Sequence, residues 1–183
     1  MKKTICLMLS LLMLLSLMVT ALADGTTTLT TAVPAATYTL NIPADQEVEF
    51  GALETAIDAP TITNAAGFAV GKNVNVNIVY SDFTNPELPT KIPFELKGYY
   101  LNANPAASRK EAIASNTNLC FDGLDDGSVR SNVRLYNKEA LLSYDLTKLY
   151  VCVLSSDWGK ALGGDYTATI TFTSEVVADT STT

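Results

Sequence analysis

The strongest constraint on this chain is an apolar–polar alternation with a period of two that recurs along its length. Tyr38, Leu40 and Ile42 alternate with Thr37, Thr39 and Asn41. Val48 and Phe50 alternate with Glu47 and Glu49, and Phe94 and Leu96 with Glu95 and Lys97. Val74, Val76, Ile78 and Tyr80 are separated by Asn75, Asn77 and Val79, and Tyr166, Ala168, Ile170 and Phe172 by Thr167, Thr169 and Thr171. A strand sends successive side chains to opposite faces, so each run has one apolar and one wet face. That is the pattern of antiparallel sheets packed on one side only. Leu149–Leu154 is continuously apolar and reads as a central strand. The alternation assigns Leu40, Ile42, Phe50, Val74, Val76, Ile78, Phe94, Leu96, Val151, Val153, Tyr166, Ile170 and Phe172 to the core.

Turn residues fall between the runs: Pro43, Gly51, Pro60, Gly67 with Gly71, Pro86 with Pro89, Gly98, Pro105, Gly123 with Gly127, and Gly163-Gly164. Short strands of unequal length with irregular connections favour an all-β, antiparallel Ig-like β-sandwich over an evenly spaced barrel. A few short helical turns are expected in the connections. Asn104-Pro105 could cap and open a helix through Ala114, and Asp157 a turn through Trp158, Lys160 and Leu162. Lys138–Leu142 is a third candidate turn, and the stretch from Ala103 to Lys148 has the weakest pattern.

The amino terminus reads differently. Lys2 and Lys3 precede an apolar stretch from Ile5 to Val19, and Ala21-Leu22-Ala23 supplies a small-x-small cleavage site. This order of basic, apolar and small segments predicts a signal peptide over 1–23, removed on export. A spanning helix needs about 20 apolar residues, more than this run holds, so no membrane span is expected after cleavage. Residues 24–183 are then read as a single β domain, with 24–31 a loose lead-in or a first edge strand and 174–183 a loose tail. The expected location is extracellular or at the cell surface.

Charge and composition narrow the chemistry. Loss of Lys2 and Lys3 with the leader takes the net charge from −7 to −9, which disfavours nucleic acid as a partner. The chain has no histidine, so catalysis by imidazole and its use as a metal ligand are excluded. No pair among the acidic residues stands out as a hydrolytic acid and base, and no enzymatic activity is expected.

Four sets of residues merit a structural test. Cys120 and Cys152 remain after cleavage, and in an oxidising exterior they are either a disulfide or two thiols packed as small hydrophobes. Asp122, Asp125 and Asp126 crowd into a glycine-rich turn that is a candidate calcium site, although it lacks the EF-hand spacing, and the alternative is a solvated turn. Calcium is the one candidate cofactor. Trp158, the single tryptophan, is either a core plug or a platform for a sugar ring. Tyr99, Tyr100 and Tyr136 are further candidate stacking residues, with alternation turning one of the Tyr99-Tyr100 pair outward.

The stretch from Trp158 to Thr173, a glycine turn followed by tyrosine and alternating threonines, resembles the last strand of bacterial surface β-sandwiches such as fimbrial subunits and WxL-type wall proteins. Tyr38–Pro43 is similar to their entry strand. The Trp-x-Leu signature is absent, because Gly159-Lys160 follows Trp158. The resemblance implies a secreted or surface Ig-like module and assigns no functional residue. The expected function is that of an exported, non-catalytic adhesion or structural protein, with cell-wall glycan or another surface protein as candidate partner. Two alternatives stay open: a carbohydrate-binding module or small secreted hydrolase, and a pilus-like subunit that donates a strand, for which Gly25–Thr31 is the candidate donor.

Overall fold

In the computed structural model residues 35–137 and 142–178 are described, residues 135–137 and 142 by their backbone alone. The leader, the lead-in segment, the candidate turn at Lys138–Leu142 up to residue 141, and the last five residues lie outside the described residues. Among the described residues no helix is long and apolar enough to cross a membrane.

The alternating runs form the main sheets. Strand β4 (Lys72–Tyr80) is the centre of a three-stranded sheet, flanked by β9 (Thr117–Phe121) and β12 (Ile170–Ala178). The five-stranded sheet is built on β11 (Leu142–Cys152), which pairs with β7 (Glu95–Leu101) along one side. On its other side β10 (Arg134–Asn137) takes the first part of β11, and β2 (Glu54–Asp58) takes the last. Strand β8 (Arg109–Ala112) closes the far edge beyond β7. Two small ladders complete the set: β1 (Thr37–Asn41) with β3 (Thr61–Ala66), and β5 (Phe83–Thr84) with β6 (Lys91–Ile92). Every strand pair is antiparallel. The chain is all-β, and Leu149–Cys152 lies on the central strand of its sheet as its apolar run requires.

The apolar sides of the two larger sheets meet in one hydrophobic cluster. Val74, Val76 and Ile78 come from β4 and Leu119 and Phe121 from β9, while Leu96, Leu149 and Val151 come from the five-stranded sheet. Val74, Val76, Leu96 and Leu149 have no solvent exposure. Taking such a side chain out of water contributes about 1.5–3 kcal/mol, so these central strands are the main source of stability. Gly98 on β7 makes the packing close: a Cβ there would lie 2.8 Å from Leu146 Cδ1 and from the Tyr100 ring.

Four expectations fail. Ile42 and Phe50 are 59% and 79% exposed rather than core, because Ile42–Glu49 forms no strand and so has no sheet to fix its faces. The helix expected from Asn104 stops after one 3-10 turn, Pro105–Ala107. Asn104 Oδ1 accepts the Ala106 N–H as a cap, but Arg109–Ala112 then pairs with β7, and tertiary pairing overrides local helix propensity. The expected loose tail is strand through Ala178, since β4 offers a ladder down to Lys72. The short helix α1 (Ser155–Trp158) begins two residues before Asp157, which instead accepts from Lys160 Nζ at 2.9 Å.

Candidate functional site

A groove of about 750 Å³ lies between the irregular connection after β1 and the loop after α1. Its walls are built by sequence-local means. The residues after Trp158 turn through Gly163-Gly164, where Gly164 sits at φ 152°. The returning chain is pinned to β5 by paired backbone hydrogen bonds between Thr84 and Thr167, at 2.8 and 2.9 Å. Asn85 Nδ2 donates to the Asp165 carbonyl at 2.8 Å, and the Tyr166 hydroxyl lies 2.6 Å from Thr90 Oγ1. The loop is thereby held rigidly against β5 and the residues before β6.

Trp158 is half-buried against the core, and its Nε1–H donates to the Ala52 carbonyl at 2.8 Å. It therefore serves as a plug at its polar end, with its indole nitrogen satisfied within the fold. Phe50 rests edge-on against the same ring, with centroids 5.4 Å apart and planes at 67°. The pair leaves an exposed phenyl on the wall of the groove. Tyr166 and Leu162 add apolar surface, while Asp45, Glu47 and Asp165 supply the ionisable side chains of the lining. No lysine or arginine lines it. An aromatic platform beside carboxylate acceptors can stack on the C–H face of a sugar and accept its hydroxyl protons. Phe50 was legible as an aromatic in the sequence, but its alternation with Glu47 and Glu49 pointed to the core and concealed its exposure.

The remaining candidates are dispersed. Tyr99 faces outward from the five-stranded sheet, edge-on to Tyr150 at 6.5 Å. Lys110 Nζ sits 3.7 Å above the Tyr150 ring and 2.6 Å from Glu54 Oε2, so this aromatic face is already occupied by a cation. Tyr100 is 4% exposed and cannot stack on a ligand. Burial, reinforced by the Glu111 charge, pushes its phenol pKa up to about 12. The backbone of Tyr136 lies in β10, and its side chain is outside the described residues. The structure does not gather Trp158, Tyr99 and Tyr100 into one binding surface.

The acidic turn does not converge on a cation. Asp126 Oδ1 accepts from Ser128 N and Oγ at 3.0 and 2.6 Å, and these bonds lower its carboxyl pKa. Asp122 Oδ2 lies 3.7 Å from Arg130 Nε, and Asp125 is exposed. Among the described residues no group of three or more His, Cys, Asp or Glu side chains could hold a metal ion. These carboxylates lie in a hairpin closed by the Gly123–Val129 bridge.

Cys120 and Cys152 are not bridged. Cys120 lies between the buried Leu119 and Phe121 on β9, and Cys152 between the buried Val151 and Val153 at the end of β11. Strand parity turns each sulfur away from its two buried neighbours, and both side chains are half-buried. Cys120 Sγ is 4.0 Å from Asp122 Oδ1, and Cys152 Sγ is 3.9 Å from Glu54 Oε1. Burial, followed by the Glu54 charge, raises the Cys152 thiol pKa and keeps it in the unreactive protonated form. Compared with known proteins, the chain matches no family model, no curated protein and no solved structure.

Proposed function

We propose that this chain is an exported, non-catalytic Ig-like β-sandwich module of the cell surface or secreted fraction, which adheres to cell-wall glycan or to another surface protein through the groove beside Phe50. The observation that carries the reading is the Phe50–Trp158 pair: a phenyl ring 79% exposed, held edge-on to a hydrogen-bonded indole beside carboxylate acceptors. An exposed aromatic costs solubility, and a ring fixed in place loses little entropy on binding. Two antiparallel sheets that share one apolar cluster support the sandwich architecture, and the apolar stretch before Ala23 supports export.

The test is a glycan array and a cell-wall pull-down with the purified chain, repeated with Phe50→Ala. Saturable binding that falls roughly tenfold in the variant, about 1.4 kcal/mol, supports the groove. Binding unchanged by Phe50→Ala would place adhesion elsewhere, and turnover of any glycan substrate would overturn the non-catalytic reading.

A further inference from the structure

Strand β12 is an edge strand of nine residues, Ile170–Ala178, and among the described residues only β4 pairs with it. Its ladder with β4 runs without a bulge from Ile170↔Tyr80 to Ala178↔Lys72. An open edge presents a row of backbone N–H and C=O groups, and proteins ordinarily blunt it with lysine, proline, a bulge or shortness. Edges of the five-stranded sheet show such devices. Strand β8 is four residues long, three of them charged, and β2 carries Glu54 and Asp58 in ion pairs with Lys110 and Lys148. Strand β12, with the sequence ITFTSEVVA, carries none, and Glu175 is its single charge.

The same nine residues are nearly self-complementary about their centre. Ile170, Phe172, Ser174 and Val176 share the face of Tyr80, Ile78, Val76 and Val74, which is the core side. Reading this face backwards from Ala178 again gives two apolar residues, serine and two apolar residues. On the outer face lie Thr171, Thr173, Glu175 and Val177. Val176 is 42% exposed although it is on the core side, so its apolar surface is only partly covered within the chain.

We infer that a second copy of this chain pairs with β12 across a two-fold axis at Ser174, antiparallel, joining the two three-stranded sheets into one continuous sheet. An isologous contact of this kind uses the same patch on both copies. Parity fixes the register to those in which core side meets core side. Of these, the register centred on Ser174 uses all nine residues, sets Phe172 opposite the partner copy's Val176, and sets Glu175 opposite its Thr173. Moving the centre to Glu175 brings two like charges face to face, and moving it to Thr173 sets Phe172 opposite Ser174. Both shifts shorten the ladder. Cross-strand apolar pairs are favourable and opposed like charges are not, so the strand's own sequence selects the Ser174 register.

The experiment uses disulfide trapping in full chains carrying Cys120→Ser and Cys152→Ser. Thr173→Cys and Glu175→Cys are made separately, mixed, and oxidised with oxidised glutathione, and sedimentation of the unsubstituted chain is followed over a range of concentration. The inference requires a concentration-dependent dimer, and a disulfide-linked species that forms on mixing at least tenfold more than with either variant alone. Val176→Lys, at an exposed position, should weaken the dimer about tenfold while leaving the circular-dichroism melt of the monomer in place. A strictly monomeric chain with no trapped species overturns the proposal. So does cross-linking of Thr173→Cys or Glu175→Cys mainly to itself, which means another register. Protection of the β12 edge amides from hydrogen exchange in a monomer, by the chain's own residues 24–34, overturns it as well.

Discussion

The two larger sheets share a core but solve the problem of their wet faces in different ways. The five-stranded sheet covers its outer face with charge: Lys148 bonds Asp58 at 2.5 Å, Lys110 bonds Glu54 at 2.6 Å, and Lys97 bonds Glu95 at 3.1 Å. The three-stranded sheet uses amides and hydroxyls. Asn77 Nδ2 donates to Asn116 Oδ1 at 3.1 Å and to Asn118 Oδ1 at 2.8 Å, while Thr171 and Thr173 line the neighbouring strand. Exposed ion pairs are screened by salt and contribute about 0–1 kcal/mol each. Neutral amide bonds contribute a similar net amount without that dependence. The charged face also blunts the edges of its sheet, whereas the neutral face leaves β12 open. Solubility and edge protection are concentrated on one side of the molecule.

The largest effect expected tests whether the two sheets depend on one core. Val76 sits at the centre of β4 with no exposure, and Val76→Asp buries an unpaired carboxylate. A loss of several kcal/mol, about 3–5, is expected, enough to abolish a cooperative thermal transition in both sheets. Ile170→Asp, at a half-buried site on the edge strand, should cost less. A melt in which the five-stranded sheet survives Val76→Asp would show that the sheets are independent.

A smaller effect separates the sheets by pH. Tyr100 belongs to β7, and its phenol titrates near 12 in the folded chain against about 10 when unfolded. The raised value means that the folded state holds this proton where the unfolded state has lost it. Tyr100's contribution is therefore fully present below pH 10 and is lost as pH rises from 10 towards 12. Absorbance titration of the tyrosinate band should show a late phenol in the native chain that belongs to Tyr100. Tyr100→Phe should remove both the late phenol and its part of the alkaline destabilisation. A titration with no late phenol would mean that this end of β7 opens readily.

The smallest effects compare the outer faces directly. Asn77→Ala and Lys148→Ala should each cost about 0.5–1 kcal/mol in denaturant melts at low salt. At high salt the Lys148→Ala cost should shrink towards zero, while the Asn77→Ala cost should persist. Equal salt sensitivity would erase the distinction between the faces.

Much of this architecture was legible in the chain. The runs at Asn73–Tyr80 and Leu149–Cys152 sit in their sheets with the predicted faces, because a strand buried on one or both sides has few other ways to satisfy period two. Of the Tyr99-Tyr100 pair, one faces out and one in, as alternation demands. Whether Cys120 and Cys152 are bridged was not readable, because the burial of Leu119 and Phe121 on either side of Cys120 is a tertiary fact. Val48 and Phe50 carry the same alternation and yet form no strand. Nothing local distinguishes them from Val74 and Val76; what differs is a neighbouring strand with free backbone groups.

By itself, then, the sequence determined the all-β class, the antiparallel habit and the inward face of each central strand, because side-chain alternation and turn residues act over a few positions. Only the tertiary structure decided which runs found partners. It turned the stretch after Asn104 from helix to strand by offering it the edge of β7, extended β12 to Ala178 along β4, and left Phe50 in the open beside Trp158. Backbone hydrogen bonds between strands join residues far apart in the chain, so the pairing that completes a strand is not written in the strand itself.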